Sequence, residues 1–350
     1  MTQQAVQPRG EARPTSQRAQ WLTDLKYRWP ARYRSSWVAL ALTLVLVVLF
    51  ASAAFNPASI TLVTALAGVL AIAAVGQMLV IMLGAIDLSI SAIISVSAGI
   101  AVHYGTQGAS IPLVLFSALL ASVLLSLMNG FLISVLRLNA VIVTLATLGM
   151  MLGAINLWTG VSLSVTGQTP ERLRDLAQGS VMKVSVVFIA AIVVCALMAL
   201  FLNKTRFGRL IAAVGSNRRA ARALGMHVMR VELATFALAG LLYGIAGLLL
   251  AGYVGTPDVV SGSPYQMGTI VVAGIAGVLF TGGPASLSSI LAAALVMQWL
   301  EQAMAILGWP AGARVAVQGV VLVLAVAALT IFGLGNSAFR SLFKTTSRDS

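Results

Sequence analysis

Long runs of apolar residues, separated by short polar gaps, divide most of the chain into about ten segments. A helix needs about 20 apolar residues to cross the hydrocarbon core of a membrane, and several runs have that length. The pattern predicts about ten transmembrane helices, at 37–55, 60–84, 86–103, 111–136, 140–157, 184–202, 232–252, 268–281, 286–307 and 314–334.

Two of these runs differ from the others. The run at 86–103 follows its neighbour almost without a gap, and the run at 268–281 is short and ends at Gly282-Gly283-Pro284. Membranes tolerate broken or re-entrant helices where the backbone lines a cavity. We therefore expect these two segments to be short or broken helices.

The composition agrees with a membrane protein. Of the 350 residues, 59% are hydrophobic and 9% are charged, whereas a soluble domain carries about 25% charged residues. So large an apolar surplus excludes an ordinary soluble enzyme and a disordered protein. The expected fold class is an all-α integral membrane protein.

Basic residues are concentrated in four segments: 1–36, Arg137 in a tight turn, 203–231 and 335–350. Cytoplasmic loops of membrane proteins are enriched in Lys and Arg. Ten spans that start from a cytoplasmic N-terminus place 18 of the 22 basic residues inside. We therefore predict cytoplasmic tails at 1–36 and 335–350 on either side of a transmembrane domain at 37–334. This distribution explains the formal net charge of +13 without a nucleic-acid partner.

The first apolar run leaves one alternative open. Residues 37–50, followed by Ala51-Ser52-Ala53, resemble the hydrophobic region and cleavage site of a signal peptide. The apolar stretch continues to Phe55 and follows a leader of 36 residues, which favours an uncleaved membrane anchor.

Motifs for catalysis and nucleotide binding are absent from the sequence. It contains no P-loop, no His-Glu-x-x-His zinc motif and no Gly-x-Ser-x-Gly nucleophile motif. The single cysteine, Cys195, and the two histidines, His103 and His227, do not make a metal-binding cluster. We expect no enzyme activity, no cofactor and no bound metal in this chain.

Polar residues inside the apolar runs are candidates for a translocation path, because exposing them to lipid is costly. They are Asp87, Ser89, Ser91, Asn129, Thr144, Thr147, Gln298 and Glu301. For the Asn, Thr, Gln and Glu side chains among them, bonding between helices is an equally good explanation. The serine hydroxyls are expected to bond to their own helix backbone or to a neighbouring helix. Asp87 lies where one run gives way to the next and is typical of a helix N-cap, a role compatible with direct contact to a solute.

The basic segment, residues 203–231, contains a predicted short helix at 218–224. Asn217 suits its N-cap, and Gly225 suits its C-terminal stop. A short basic helix between two membrane spans fits either an anchor on anionic lipid or a docking element for a cytoplasmic protein. The sequence leaves both roles open.

Five motifs follow one another in order over about residues 60–330. They are Gly84-Ala-Ile-Asp87-Leu-Ser89, Thr144-Leu-Ala-Thr147-Leu-Gly-Met, Gly215-x-Asn217-x-x-Ala220-Ala221-Arg222-x-x-Gly225-Met-x-Val, Gly277-x-x-x-x-Gly282-Gly283-x-x-Ser286 and Gln318-Gly319-Val-Val-Leu-Val-Leu-Ala. Together they resemble the permease subunits of monosaccharide ABC importers, the ribose, xylose and galactoside type.

The resemblance implies a bacterial inner-membrane protein of about ten helices that pairs with a second permease around a translocation path. It also implies two cytoplasmic ATPase subunits, which hydrolyse ATP, and an extracytoplasmic solute-binding protein. The expected solute is a monosaccharide or a sugar-like molecule. The alternatives are a branched-chain amino acid or a nucleoside on the same architecture, and a self-sufficient secondary carrier.

In this family the short helix of the basic segment couples the permease to the ATPase. The matching positions here are Gly215, Asn217, Arg218, Ala220, Ala221, Arg222 and Gly225. A small face formed by Ala220, Ala221 and Ala223 would then pack in a cleft of the ATPase. Arg218, Arg219 and Arg222 would meet the acidic rim of that cleft or lipid head groups.

The sequence departs from the family pattern at several places. Ala85, Ala276 and Ala285 stand where glycine is usual, and Glu301-Gln302 stand where Asn or Gly is usual. These departures bear on the solute more than on the fold. They also fit one half of a heterodimer of diverged permeases.

Overall fold

The structure is a computed structural model and describes residues 31–159 and 167–333. These residues form thirteen α-helices, a 310 helix at Ser52–Phe55 and a two-stranded hairpin. In chain order the helices are α1 (Ala31–Phe50), α2 (Pro57–Met82), α3 (Ile90–Thr106), α4 (Ile111–Ser134), α5 (Ala140–Thr159), α6 (Glu171–Gln178), α7 (Val186–Lys204), α8 (Arg206–Ser216), α9 (Arg218–Ala223), α10 (Val228–Val254), α11 (Ser263–Ile275), α12 (Leu287–Ile306) and α13 (Ala311–Gly333).

Each of the ten apolar runs corresponds to one helix. In the described part of the chain, seven helices are long and apolar enough to cross a membrane, namely α1, α2, α4, α5, α7, α10 and α12. The runs at 86–103 and 268–281 form α3 and α11, which have 17 and 13 residues. The prediction of an all-helical protein with several membrane spans is confirmed.

Several helix boundaries differ from the sequence-based prediction. α3 begins at Ile90, and residues 85–87, which were predicted to belong to it, are not helical. α11 begins at Ser263 rather than at 268, with Pro264 in its first turn, where a missing N–H breaks no helical hydrogen bond. α10 begins at Val228, so Glu232, at the first position of the predicted run, lies inside the helix.

Side-chain caps explain where some helices start. The Asn56 side chain accepts a hydrogen bond of 2.8 Å from the backbone N–H of Ser59, at the start of α2. The Thr205 hydroxyl accepts a hydrogen bond of 3.1 Å from the backbone N–H of Gly208, at the start of α8. These bonds satisfy N–H groups that have no partner inside the helix.

The segment between α6 and α7 forms a small hairpin, which the apolar pattern did not predict. Strand β1 (Ser180–Val181) pairs antiparallel with strand β2 (Val184–Ser185). Met182 and Lys183 between them have φ angles of 51° and 69°. Positive φ at both central residues is typical of the tight turns whose twist matches that of a hairpin.

Helices α2 and α10 lie at the centre of the bundle. In the 18-residue apolar stretch of α2, 94% of the residues are buried. This helix contacts α7, α10, α11 and α12. α10 packs against α4, where Gly240 approaches Ser126 closely. In the corresponding stretches of α1, α4 and α7, only 22% of the residues are buried, so most of their apolar side chains face outward. Such surfaces suit contact with lipid.

The first apolar run belongs to the bundle. α1 packs along α12, and the Phe55 ring stacks on Trp299 with 4.8 Å between the centroids. The Tyr33 hydroxyl donates a hydrogen bond of 3.0 Å to the carbonyl oxygen of Pro284. Residues 1–30 of the predicted N-terminal tail and the whole predicted C-terminal tail lie outside the described residues.

Candidate functional site

Three of the candidate path residues form one buried hydrogen-bonded chain between α2, α3 and α4. The Asp87 Oδ1 atom accepts hydrogen bonds from the backbone N–H of Ser89 at 2.9 Å and from its hydroxyl at 2.6 Å. The Asn129 Nδ2 atom of α4 donates to the Ser89 hydroxyl oxygen at 2.7 Å. All three residues are fully buried, so these bonds hold the loop before α3 against α4.

The prediction that Asp87 is a helix N-cap is wrong, because the helix begins further along the chain. Ser89 occupies the N-cap of α3, and its side chain makes no capping bond. Asp87 lies two residues earlier and bonds to Ser89 in an Asx turn. The Asp87 carboxylate therefore fixes the loop that leads into α3. It does not bond to the N–H groups of the helix itself, because the helix starts only at Ile90.

Two residues that the sequence analysis missed complete this Asp87 cluster, which consists of Gln77, Asp87, Ser89, Asn129 and Tyr243. With its amide oriented to satisfy its neighbours, Gln77 donates to the Asp87 carbonyl oxygen at 3.1 Å and accepts from the Asp87 N–H at 3.3 Å. In the same orientation it donates to the Tyr243 hydroxyl at 3.2 Å. The available sequence signal was a lone amide in the second half of the run at 60–84.

Two buried oxygen atoms of the Asp87 cluster have no hydrogen-bond partner, Asp87 Oδ2 and Asn129 Oδ1. Thr144 and Thr147 are buried nearby on α5. The Thr144 hydroxyl donates to the Ala140 carbonyl oxygen at 2.8 Å, and the Thr147 hydroxyl donates to the Thr144 carbonyl oxygen at 3.2 Å. Both threonines therefore satisfy their hydroxyls on their own helix, and the Thr144 hydroxyl also lies 3.5 Å from the Ile86 carbonyl oxygen in the loop before α3.

Gln298 and Glu301 lie at a different place, on the wall of a cavity of about 290 Å³. The residues lining it are Leu66, Leu70, Leu250, Val254, Ser261, Pro264, Tyr265, Gly268, Met297, Gln298, Glu301 and Gln318. Glu301 accepts hydrogen bonds from Arg314 at 2.6 Å and from Gln318 at 3.1 Å. One wall of the cavity is thus polar, and the carboxylate on it is neutralised by an ion pair.

Ser91 belongs to neither group. Its hydroxyl donates to the Oε1 atom of Gln266 at 3.2 Å and so joins α3 to α11. The eight predicted path residues therefore do not converge on one site. The Asp87 cluster connects helices, whereas Gln298 and Glu301 line a cavity, where Glu301 also joins α12 to α13 through Arg314 and Gln318.

The short helix in the basic segment is confirmed. The Asn217 side chain accepts a hydrogen bond of 2.9 Å from the backbone N–H of Ala220 and caps α9. The helix ends at Ala223, one residue earlier than predicted. Gly225 follows with a φ of 78°, the left-handed conformation that glycine adopts without steric cost.

Helix α8 precedes α9 in the basic segment and was not predicted. Its apolar positions Phe207, Leu210, Ile211 and Val214 recur at spacings of three, one and three, which is the pattern of an amphipathic helix. Together with the Thr205 cap, this signal was sufficient to find it. α8 packs against α7 and α10.

Three motif glycines from distant parts of the sequence meet at the end of α2. A Cβ atom at Gly215 of α8 would overlap the Met82 carbonyl oxygen and lie 3.4 Å from the backbone nitrogen of Gly283. A Cβ atom at Gly282 would lie 2.6 Å from the Gly215 carbonyl oxygen. Gly283 N–H also donates to the Met82 carbonyl oxygen at 3.1 Å. The basic segment is therefore packed backbone to backbone on the membrane helices.

The three alanines of the expected small face of α9 do not share one environment. Ala221 is 3% exposed and packs in the core, whereas Ala220 and Ala223 are exposed. The Arg218 Nη2 atom lies 2.7 Å from Glu232 Oε2 of α10 in a salt bridge. Ala221 therefore packs within its own chain, which corrects the expectation that it faces a partner. Arg218 pairs with Glu232 while its side chain stays 47% exposed, so its coupling role stays a prediction.

A family described as "Branched-chain amino acid transport system / permease component" matches residues 59–326. The L-arabinose ABC transporter permease protein AraH of Azospirillum brasilense is 34% identical over 253 residues, 72% of this chain and 74% of that protein. The autoinducer 2 import system permease protein LsrC of Escherichia coli K12 is 29% identical over 264 residues, 75% of this chain and 77% of that protein. No solved structure matches the chain.

The family match covers the helices from α2 to α13 and includes all five motifs. Permeases of this kind work with an ATPase and a solute-binding protein, so the membrane component is not the catalytic one. The apolar helix bundle, the basic segment packed against it and this match together establish that the chain belongs to the permease family of binding-protein-dependent ABC importers, located in the inner membrane.

Proposed function

We propose that the chain forms, with a second permease, the translocation path for a monosaccharide or a sugar-like solute. The observation that carries this proposal is the similarity over about three quarters of both chains to permeases named for arabinose and for autoinducer 2. The family description names branched-chain amino acids, which makes such an amino acid the second candidate.

The cavity beside Gln298 supports an uncharged solute. Gln298, Gln318 and Ser261 offer amide and hydroxyl groups, and Tyr265 and Met297 offer apolar surface. Small-molecule sites commonly combine an apolar wall with a few polar groups. Because Glu301 is paired with Arg314, little free charge remains there for a zwitterionic amino acid.

Replacing Gln298 with leucine is expected to raise the solute concentration for half-maximal uptake about fivefold to tenfold, because roughly one hydrogen bond to the solute is lost. The measurement is uptake by proteoliposomes that contain this chain with its permease, ATPase and binding-protein partners. An unlabelled pentose should compete, whereas leucine and a nucleoside should not.

The matched control is Asn156→Leu, which removes an amide from the exposed surface of α5 and should leave that concentration unchanged.

We assign the Asp87 cluster to holding helices together. Asp87→Asn should therefore lower the yield of folded chain without changing the solute concentration for half-maximal uptake. Competition by leucine but not by the pentose would overturn the sugar proposal.

The proposed topology has ten spans with both ends in the cytoplasm. It is supported by the ten apolar helices and by the basic residues, which are concentrated in 1–36 and in the basic segment. In this orientation α8 and α9 face the cytoplasm, and the β1–β2 hairpin faces the other side. The proposed partners are a second permease, identical or diverged, two ATPase subunits on the cytoplasmic side and a solute-binding protein on the opposite side.

Single cysteines test this orientation, because the native Cys195 is buried and should give little background labelling. Met182 in the hairpin is 93% exposed, and Leu224 after α9 is 76% exposed. A maleimide that does not cross membranes should label Met182→Cys in intact spheroplasts and Leu224→Cys only after permeabilisation. The reverse pattern would contradict the ten-span topology.

A further inference from the structure

A cationic pocket lies where the α4–α5 turn, α9 and the start of α10 meet. Its volume is about 400 Å³, and it is lined by Arg137, Arg222, His227, Val228, Met229 and Arg230. The salt bridges in the described part of the chain are Arg218 with Glu232 and Arg314 with Glu301. The three arginines of the pocket therefore form no salt bridge among the described residues, although Arg222 is close enough to Glu232 for an electrostatic interaction.

The backbone adds to the positive character of this cationic pocket. α10 is 27 residues long, and its N-cap residue His227 makes no side-chain capping bond. The Val228 N–H bonds to the Met226 carbonyl oxygen at 2.9 Å. The first turn as a whole lies at the positive end of the helix dipole, an arrangement that favours anions. Arg137 has a φ of 55°, a conformation that is uncommon outside glycine and often marks functional positions.

Exposed apolar side chains occur in the segments that form the cationic pocket, and Met229 itself lines it. Leu136 and Leu138 flank Arg137, and Ile142 and Met229 lie on the adjoining helices; all four are exposed. A free phosphate ion needs only the cationic groups, whereas a phospholipid presents an anionic headgroup next to acyl chains. The pattern of charge and apolar surface fits the phospholipid.

We propose that this pocket binds the phosphate headgroup of an anionic phospholipid, with the acyl chains along the exposed surface of α4 and α5. Its location in the inner leaflet rests on the proposed topology. Because Arg222 belongs to α9 and Arg137 to the α4–α5 turn, one bound headgroup joins the basic segment to the membrane helices. Lipid composition would then influence how firmly α9 is held.

The test is lipid binding to the purified full-length chain, measured by native mass spectrometry in detergent. The wild-type chain should bind phosphatidylglycerol at least about tenfold more tightly than phosphatidylcholine, because both lipids offer a phosphate to the arginines but the quaternary ammonium of phosphatidylcholine cancels its net charge and is repelled by them. The triple variant Arg137→Gln/Arg222→Gln/Arg230→Gln should bind the two lipids equally. The control variant Arg206→Gln/Arg209→Gln/Arg219→Gln removes the same charge from exposed positions outside the pocket and should behave as the wild type.

Thermal melting in detergent checks that the variants fold, and if the triple variant does not, Arg137→Gln should weaken the preference and Arg137→Lys should restore most of it. An unchanged lipid preference in the pocket variants, or an equal loss in the control, would overturn the proposal. Displacement of phosphatidylglycerol by millimolar inorganic phosphate would show a free-anion site instead. Displacement by the ATPase subunit would show a protein contact. The assay uses the chain in detergent, where there is no inside or outside, and it uses no solute. Its outcome is therefore independent of the proposed transport function.

Discussion

Replacing Gly215 with alanine should reduce solute uptake to less than about a tenth of the wild-type rate, because overpacking costs about 1–3 kcal/mol and here the obstacle is backbone. The added Cβ would overlap the carbonyl oxygen of Met82, an atom that cannot move aside as a flexible side chain can. α8 would have to separate from the end of α2 and from the Gly282–Gly283 turn. The measurements are solute uptake and the midpoint of thermal unfolding of the purified chain.

The matched control for this change is Gly149→Ala. Gly149 also lies inside a helix, but a Cβ atom there meets nothing within 4 Å in the chain. Alanine favours a helix by about 1 kcal/mol over glycine, so this variant should be at least as stable as the wild type. Normal uptake and normal stability of Gly215→Ala would show that α8 is not packed on α2 as described.

Replacing Ala220 with tryptophan should abolish co-purification of the ATPase subunit while leaving the chain folded and inserted in the membrane. We propose that α9 docks on the ATPase through its exposed residues, and Ala220 is one of them. A bulky ring there would overfill the docking cleft, at a cost of about 1–3 kcal/mol if the cleft behaves as a packed core. Pull-down of a tagged ATPase, together with solute uptake, measures the effect.

Ala221→Trp serves as the contrasting variant on the same helix. Ala221 packs inside its own chain, so the ring should lower the thermal stability of the isolated permease, a loss that Ala220→Trp should not cause. If Ala220→Trp retains both uptake and the ATPase, the docking role is removed and α9 is an anchor on lipid, where an aromatic ring is well tolerated.

Local features of the sequence were sufficient to predict much of the architecture. Ten apolar runs became ten helices because burying a backbone in lipid requires every N–H and C=O group to bond within its own helix. The cap at Asn217 and the stop at Gly225 were also predictable, since both depend on neighbouring residues along the chain. α8 carried an equally clear local pattern and was missed within a segment treated as polar.

The contacts between distant residues were not accessible from the pattern. In a membrane helix the face toward lipid and the face toward the bundle are both apolar, so periodicity does not reveal which side is buried. For this reason the sequence could not separate Asp87, which bonds to Ser89 and is fully buried, from Gln298 on a cavity wall. Which of Ala220 and Ala221 faces outward depends on how α9 packs against α8 and α10. The contact of Gly215 with Met82 depends on how α8 packs against a helix far away in the sequence.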